Sequence, residues 1–422
     1  MQTMGAASLP SCLSYQDNRL MMGELSIKAI AEQQATPFYL YSADAIRQRI
    51  HDCLSAFSPV GVAVHFAVKS NSNLSVLRLM GSAGLGADIV SGGELTRVLK
   101  AGIDPGQVIF SGVAKTDAEL RQAVEAGVGQ FNVESAEELF RIDRITGQLG
   151  VQVNAVLRVN PEVDAGTHDH ITTGKKGNKF GIAFQRLSEL FCMAGEMPQV
   201  NLRGLAMHIG SQIVSIEPYR ESVLRMRQWT EQLRAEGYLL DTLDLGGGIG
   251  VDYGDGRSLC FVEYANLINE ALGGLDISIQ LEPGRSLVAA AGVLVTTVVA
   301  TKQAEPRNFV MLDAGMNDLI RPALYQATHP LIPVLLSNQR LEEPLDVVGP
   351  ICESTDCFLK DYTLPLPEEG DLMVLTMTGA YSAVLSSTYN SRPLVAEVML
   401  EHTNIRVIRK AWTLEEQLRL EE

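Results

Sequence analysis

Between residues 60 and 284 the sequence alternates, eight times over, a short apolar run with a longer intervening stretch. The short runs are VAVHFAVK, GADIVS, VIFSG, GQFNVES, NAVLRVN, LRGLAMHIGS, TLDLGGGIG and ISIQLEPG. Runs of this length, bounded by turn residues, read as strands buried on both faces. Most stretches between them read as helices, among them LSVLRLMGSAG, DAELRQAVEAG and YRESVLRMRQWTEQLRAEG. Several end at a glycine (Gly84, Gly102, Gly127, Gly195, Gly237), a common helix stop because it accepts left-handed backbone angles. Eight βα units point to a (β/α)8 barrel. A doubly wound open sheet obeys the same alternation, and a linear sequence does not display closure.

From about residue 285 the texture changes. VLVTTVVATK, FVMLDA, LDVVGPIC and DLMVLTMTGAY are rich in β-branched residues and punctuated by Pro and Gly. This predicts a C-terminal β domain over 286–422 behind a barrel over 43–285. The strand-like TPFYLYS within residues 1–42 is expected to join that β domain. LVAAAGVLVTTVVA (287–300) reads as a buried strand, too short for a membrane span. The formal net charge of −16 argues against a nucleic-acid partner. Six cysteines without a CxxC pair suggest a reduced, cytoplasmic setting with no metal. The first residues lack a basic, apolar leader pattern.

Polar residues recur at the ends of the predicted strands: Lys69, Asp88, Asn132, Arg158, His208, Gly246–Gly248 and Glu282. Each alone has an ordinary explanation. Lys69 can snorkel to the surface, His208 can be a satisfied structural histidine, and the glycines can serve a tight turn. Core packing has no use for all of them together, and in a barrel those ends share one face. A lysine amine can form a Schiff base with an aldehyde, and a glycine turn admits phosphate oxygens. A carboxylate can keep a ring nitrogen protonated, and an imidazole can lie on a ring face. This set describes a site for pyridoxal 5′-phosphate.

The motifs FAVKSN, HIGSQI, LDLGGGIGVDY, EPGRSLVA, NDLIRPALY, VVGPICES and GAYS…STYNSRP together resemble those of the diaminopimelate decarboxylases. These share a fold group with alanine racemase and ornithine decarboxylase. The resemblance runs from about residue 36 to 400. It implies that Lys69 carries the cofactor and that His208 stacks on its ring. Ser211, Gly246, Gly247 and Gly248 receive the phosphate, with Gly284 and Arg285 completing that wall. Glu282 pairs with the pyridine nitrogen, and Asp88 and Arg158 belong to the same cofactor pocket. Cys352 donates a proton, and Tyr381 reaches both phosphate and substrate. Arg285, Arg321, Tyr325 and Glu353 hold the far end of the substrate. The resemblance also implies a head-to-tail homodimer in which Cys352 and Glu353 enter the neighbour's site.

The implied reaction is decarboxylation of meso-2,6-diaminopimelate to L-lysine. A carboxylate at the ring nitrogen makes a strong electron sink, whereas a racemase of this fold uses arginine there. The far carboxylate of diaminopimelate suits a bidentate guanidinium, and ornithine and lysine lack that group. Sister decarboxylases of D-lysine, D-ornithine or a carrier-bound glutamyl group remain alternatives, as does a regulatory homologue without activity. For Cys352 the alternative is an inert buried thiol. For Arg321 it is a surface position.

Overall fold

The computed structural model describes residues 2–3, 9–164, 180–305, 307–337 and 339–422. Eight strands close into a barrel. They are β1 (Val62–Ala67), β2 (Gly86–Ile89), β3 (Val108–Phe110), β4 (Gln130–Val133), β5 (Val153–Arg158), β6 (Val200–Ala206), β7 (Thr242–Asp244) and β8 (Ser278–Leu281). Every neighbouring pair is parallel. The ring shuts where Ile279, Gln280 and Leu281 pair with Val62, Ala63 and Val64. That pairing excludes the open doubly wound sheet.

The helices between strands start and stop for local reasons. Thr116 caps Asp117–Ala126 in a reciprocal box with Glu119, and Gly127 ends it with φ 78°. Gly195 behaves differently. It closes Leu187–Ala194 with right-handed angles (φ −61°), so left-handed freedom is not what the position requires. A Cβ there would lie 3.2 Å from the Cys192 carbonyl oxygen.

The chain divides into two compact units. One comprises Ile50–Val251 and Ser258–Ser286 and holds the barrel. The other comprises Met1–Arg49, Asp252–Arg257 and Leu287–Glu422. This second unit is built on a ten-stranded mixed sheet. The strand Phe38–Ser42, from TPFYLYS, lies inside that sheet with all five residues buried. It pairs antiparallel with Gly292–Lys302 and parallel with Ala396–Glu401. A small sheet of Leu13–Gln16, Arg19–Met22 and Leu25–Ser26 joins the same apolar core through Leu13, Leu20 and Met22. The segment 287–300 is a strand only in its second half. Arg285–Val288 and Ala289–Ala291 are helical turns, and extended backbone begins at Gly292. No helix among the described residues is long and apolar enough to cross a membrane.

Candidate active site

The barrel strands deliver their polar ends to one mouth. Asp88 lies in β2 and Arg158 ends β5, while Glu282 directly follows β8. Lys69 does not end β1, which stops at Ala67. It sits in the 3-10 turn Val68–Ser70 that follows. Its side chain is 33% exposed, so it is shielded less than the apolar run suggested. The ammonium Nζ lies 2.5 Å from Asp88 Oδ2. Asp88 is fully buried, and its Oδ1 has no hydrogen-bond partner.

His208 lies just past β6. Its Nδ1 accepts from the Gly247 N–H at 3.3 Å, so that nitrogen carries no proton. Burial, with the Arg158 and Lys69 cations close by, holds the imidazole well below its ordinary pKa. The ring is therefore neutral at neutral pH. Gly246 and Gly248 adopt φ of 68° and 97°. A Cβ on Gly247 would lie 2.1 Å from the Glu282 carbonyl oxygen, so the turn after β7 requires glycine there. Arg285 is buried, and its Nη2 donates to Ser211 Oγ at 2.9 Å. Gly284 packs against Ala67 and Ser70, next to the turn that carries Lys69.

Several functional neighbours escaped sequence reasoning. Glu134 holds Arg158 through Oε1 at 2.5 Å and accepts from the Gly181 N–H through Oε2 at 2.8 Å. Asp244 and Ser111 lie around Glu282. Asp244 carried a signal, as a charged residue inside the apolar TLDL. The Asn132 amide donates toward Asp244 Oδ2 at 2.8 Å and toward Glu282 Oε1 at 3.3 Å. Lys115 is a second buried lysine. Its Nζ donates to Gly112 O and Asn132 O, each at 2.8 Å, and to Glu138 Oε1 at 2.5 Å. All three ammonium hydrogens are used, so Lys115 is a brace between β3 and β4. A cavity of about 220 Å3 lies at the opposite, N-terminal end of the barrel, lined by His65, Gln130 and Gln280 among others. Gln130 on its wall donates to Asn132 Oδ1 at 2.9 Å.

The remaining predicted residues belong to the other unit. Arg321 opens the short helix Arg321–Tyr325 and is buried. Its Nη1 donates to Tyr253 Oη at 3.0 Å and to His329 Nε2 at 2.8 Å. An arginine only donates, so His329 Nε2 accepts and the ring proton sits on Nδ1, which donates to Thr376 O at 2.9 Å. The guanidinium also lies 4.8 Å from the centroid of the Tyr253 ring. Arg321 is therefore not a surface arginine, and Tyr253 and His329 fix its plane. Tyr325 is half-buried at the end of the same helix.

Cys352 is exposed, contrary to the inert buried thiol, and its N–H donates to Asn390 Oδ1 at 3.2 Å. Glu353 accepts from the Tyr389 hydroxyl. Asp356 organises this loop by accepting from the Ile351 N–H at 2.6 Å and the Met316 N–H at 2.7 Å. GPICES, NDLIRPALY and STYNSRP thus meet within this unit. Tyr381 has φ 53°, a left-handed angle that a bulky side chain seldom adopts. Such strain is characteristic of functional positions.

Residues 43–289 match the family model described as pyridoxal-dependent decarboxylase, pyridoxal binding domain. Diaminopimelate decarboxylase of Pseudomonas aeruginosa is 44% identical over 403 residues, covering 96% of this chain and 97% of that protein. The chain belongs to the diaminopimelate decarboxylase family. The crystal structure of the Helicobacter pylori family member, complexed with L-lysine, is 43% identical with a TM-score of 0.90. It covers 93% of this chain and 98% of that one. The M. jannaschii member, also in complex with L-lysine, gives a TM-score of 0.94 at 32% identity over 98% and 99% of the two chains.

The barrel mouth fits the cofactor named by the family. An amine stands beside a buried carboxylate oxygen without a partner, and a glycine turn and a Ser–Arg pair stand nearby. A buried carboxyl group, Glu282, completes the donor set.

Proposed function

We propose that this protein removes CO2 from meso-2,6-diaminopimelate and releases L-lysine. The observation that carries this is the joint placement of Lys69, Asp88, His208 and Glu282 at one barrel mouth, in a chain matched almost end to end by diaminopimelate decarboxylases. Bound pyridoxal 5′-phosphate supplies the electron sink for the pair released when the carbon–carboxylate bond breaks. Lys69 holds it covalently, and Asp88 keeps the amine in place. His208, neutral and fixed by Gly247, would support the ring of the bound cofactor. Ser211, Gly246–Gly248, Gly284 and Arg285 receive the phosphate, with Tyr381, and Arg158 lines the same pocket. Glu282 keeps the ring nitrogen protonated, which favours decarboxylation over racemisation. Cys352 Sγ returns a proton to the carbon that lost CO2.

Arg321, with Arg285, Tyr325 and Glu353, holds the far end of the substrate. The exposure of Cys352 and Glu353 on their loop supports a homodimer in which they serve the partner's site. The six free cysteines support a cytoplasmic setting.

Two measurements test the reading. Borohydride reduction followed by peptide mapping should place the cofactor on Lys69, whereas a label on Lys115 would refute the assignment. CO2 release should be fastest with meso-diaminopimelate among its isomers, ornithine, lysine and arginine. Faster turnover of a diamine lacking the far carboxylate would favour a sister decarboxylase.

A further inference from the structure

Asp244, the last residue of β7, is fully buried. Its Oδ1 accepts from the Gly246 N–H at 2.9 Å and its Oδ2 from Asn132 Nδ2 at 2.8 Å. The same Asn132 Nδ2 reaches Glu282 Oε1 at 3.3 Å, so the two buried carboxyl groups share one donor. Two carboxylates so placed, both out of water, do not both stay charged, so one of them holds a proton. The donors decide which. Those aimed at Asp244 are short, while Ser111 Oγ and Asn132 Nδ2 reach Glu282 Oε1 only at 3.3 Å each. Negative charge therefore settles on Asp244, and the proton stays with Glu282.

We propose that Asp244 is a positioning residue for Glu282: the pair shares one proton, and the Asp244 charge keeps Glu282 and the cofactor's ring nitrogen protonated to higher pH. This rests on the reading of Glu282 as the partner of that nitrogen. The charged surroundings agree. Burial raises the Glu282 carboxyl well above its ordinary range, and Asp244 and Asp88 push the same way while Lys69 opposes them. His65 and Tyr264 also face Asp244. Burial lowers the imidazole pKa and raises that of the phenol, so both are uncharged and neither neutralises Asp244. Asp244 thereby links the glycine turn, through the Gly246 N–H, to Asn132 and Glu282.

The test has two parts. In the full-length chain freed of cofactor, infrared spectra at neutral pH should show a protonated carboxyl stretch that disappears in Glu282→Gln. In the loaded enzyme, nitrogen-15 resonance of labelled pyridoxal 5′-phosphate should report the ring proton against pH. Asp244→Asn should release that proton at a pH lower by about one unit or more, the usual effect of removing a charge within a few ångströms. Asp244→Ser, which is also uncharged and can accept from the Gly246 N–H, replaces Asp244→Asn should the latter not fold. A ring titration unchanged in both Asp244 variants would overturn the proposal. A titration unchanged in Glu282→Gln would instead overturn the assignment of Glu282. A wild-type infrared spectrum without the Glu282-dependent band would refute the shared proton whatever the variants do.

Discussion

Lys115→Met should destabilise the barrel unit strongly. Lys115 is 3% exposed and Glu138 2%, so the ion pair is shielded from water. Burial lowers the ammonium pKa more than Glu138 raises it. Desolvation therefore outweighs the attraction, and the pair adds little net stability over apolar side chains. Removing one partner is another matter. Glu138 would remain buried without its cation, its Oε2 still accepting from the Glu134 N–H at 3.1 Å. Breaking a buried pair on one side costs about 3–5 kcal/mol, a shift in the folding equilibrium of roughly a hundredfold to several thousandfold. In a unit of this size that lowers the Tm by roughly 6–20 °C. Glu138→Leu alone should cost a similar amount. The double variant should cost well below the sum, with a coupling of about 2 kcal/mol or more, because no charge is then stranded. Urea denaturation of the four proteins measures the cycle. Additive losses, or a Lys115→Met loss under about 1 kcal/mol, would show that the buried charges do not depend on each other.

Other consequences are open to direct measurement. Arg321→Ala should cost about 2–5 kcal/mol in kcat/KM for diaminopimelate, and Arg321→Lys should also damage it through loss of the planar fork. The ratio of kcat/KM for diaminopimelate to that for lysine should fall toward one, whereas equal losses for both would assign Arg321 to the fold. Mixing inactive Lys69→Ala and Cys352→Ala protomers should restore part of the activity in hybrid dimers, and no recovery after verified subunit exchange would place both residues in one chain's site. Burial raises the Asp318 pKa to about 6, against an ordinary value near 4. Its stabilising effect is complete below about pH 4 and is lost as pH rises to about 6, a fall of roughly 3 kcal/mol. Asp318→Asn should remove that slope from denaturation free energies measured between pH 4 and 7, and an unchanged slope would contradict the assignment.

The strands were legible because each is a buried apolar run, and their polar ends stood out against that background. Closure was not, since β8 meets β1 across more than 200 residues and no local pattern encodes it. Lys69 read as buried because the apolar run continues through Val68, yet β1 stops at Ala67 and the turn swings the side chain partly into the open. Lys115 and Glu138 look like ordinary surface charges, one in a loop and one in the first turn of an amphipathic helix. Only the fold reveals that they face each other. Tyr253 and His329 escaped for the same reason, because each matters through Arg321, some 70 residues away in one case and eight in the other.

The strand Phe38–Ser42 sets a clock on biosynthesis. It leaves the ribosome early, yet Phe38 pairs with Val295 and Ala396, about 260 and 360 residues further along the chain. At ~5–20 residues per second, the second of these partners is translated roughly 20–70 s after Phe38. The barrel strands are complete once Leu281 has been made, well before that. Until Gly292–Lys302 has been made, the five residues FYLYS, all buried in the finished sheet, have neither neighbouring strand. Nascent chains of this protein therefore carry an aromatic-rich segment with at least one edge unpaired until Ala396–Glu401 has been made.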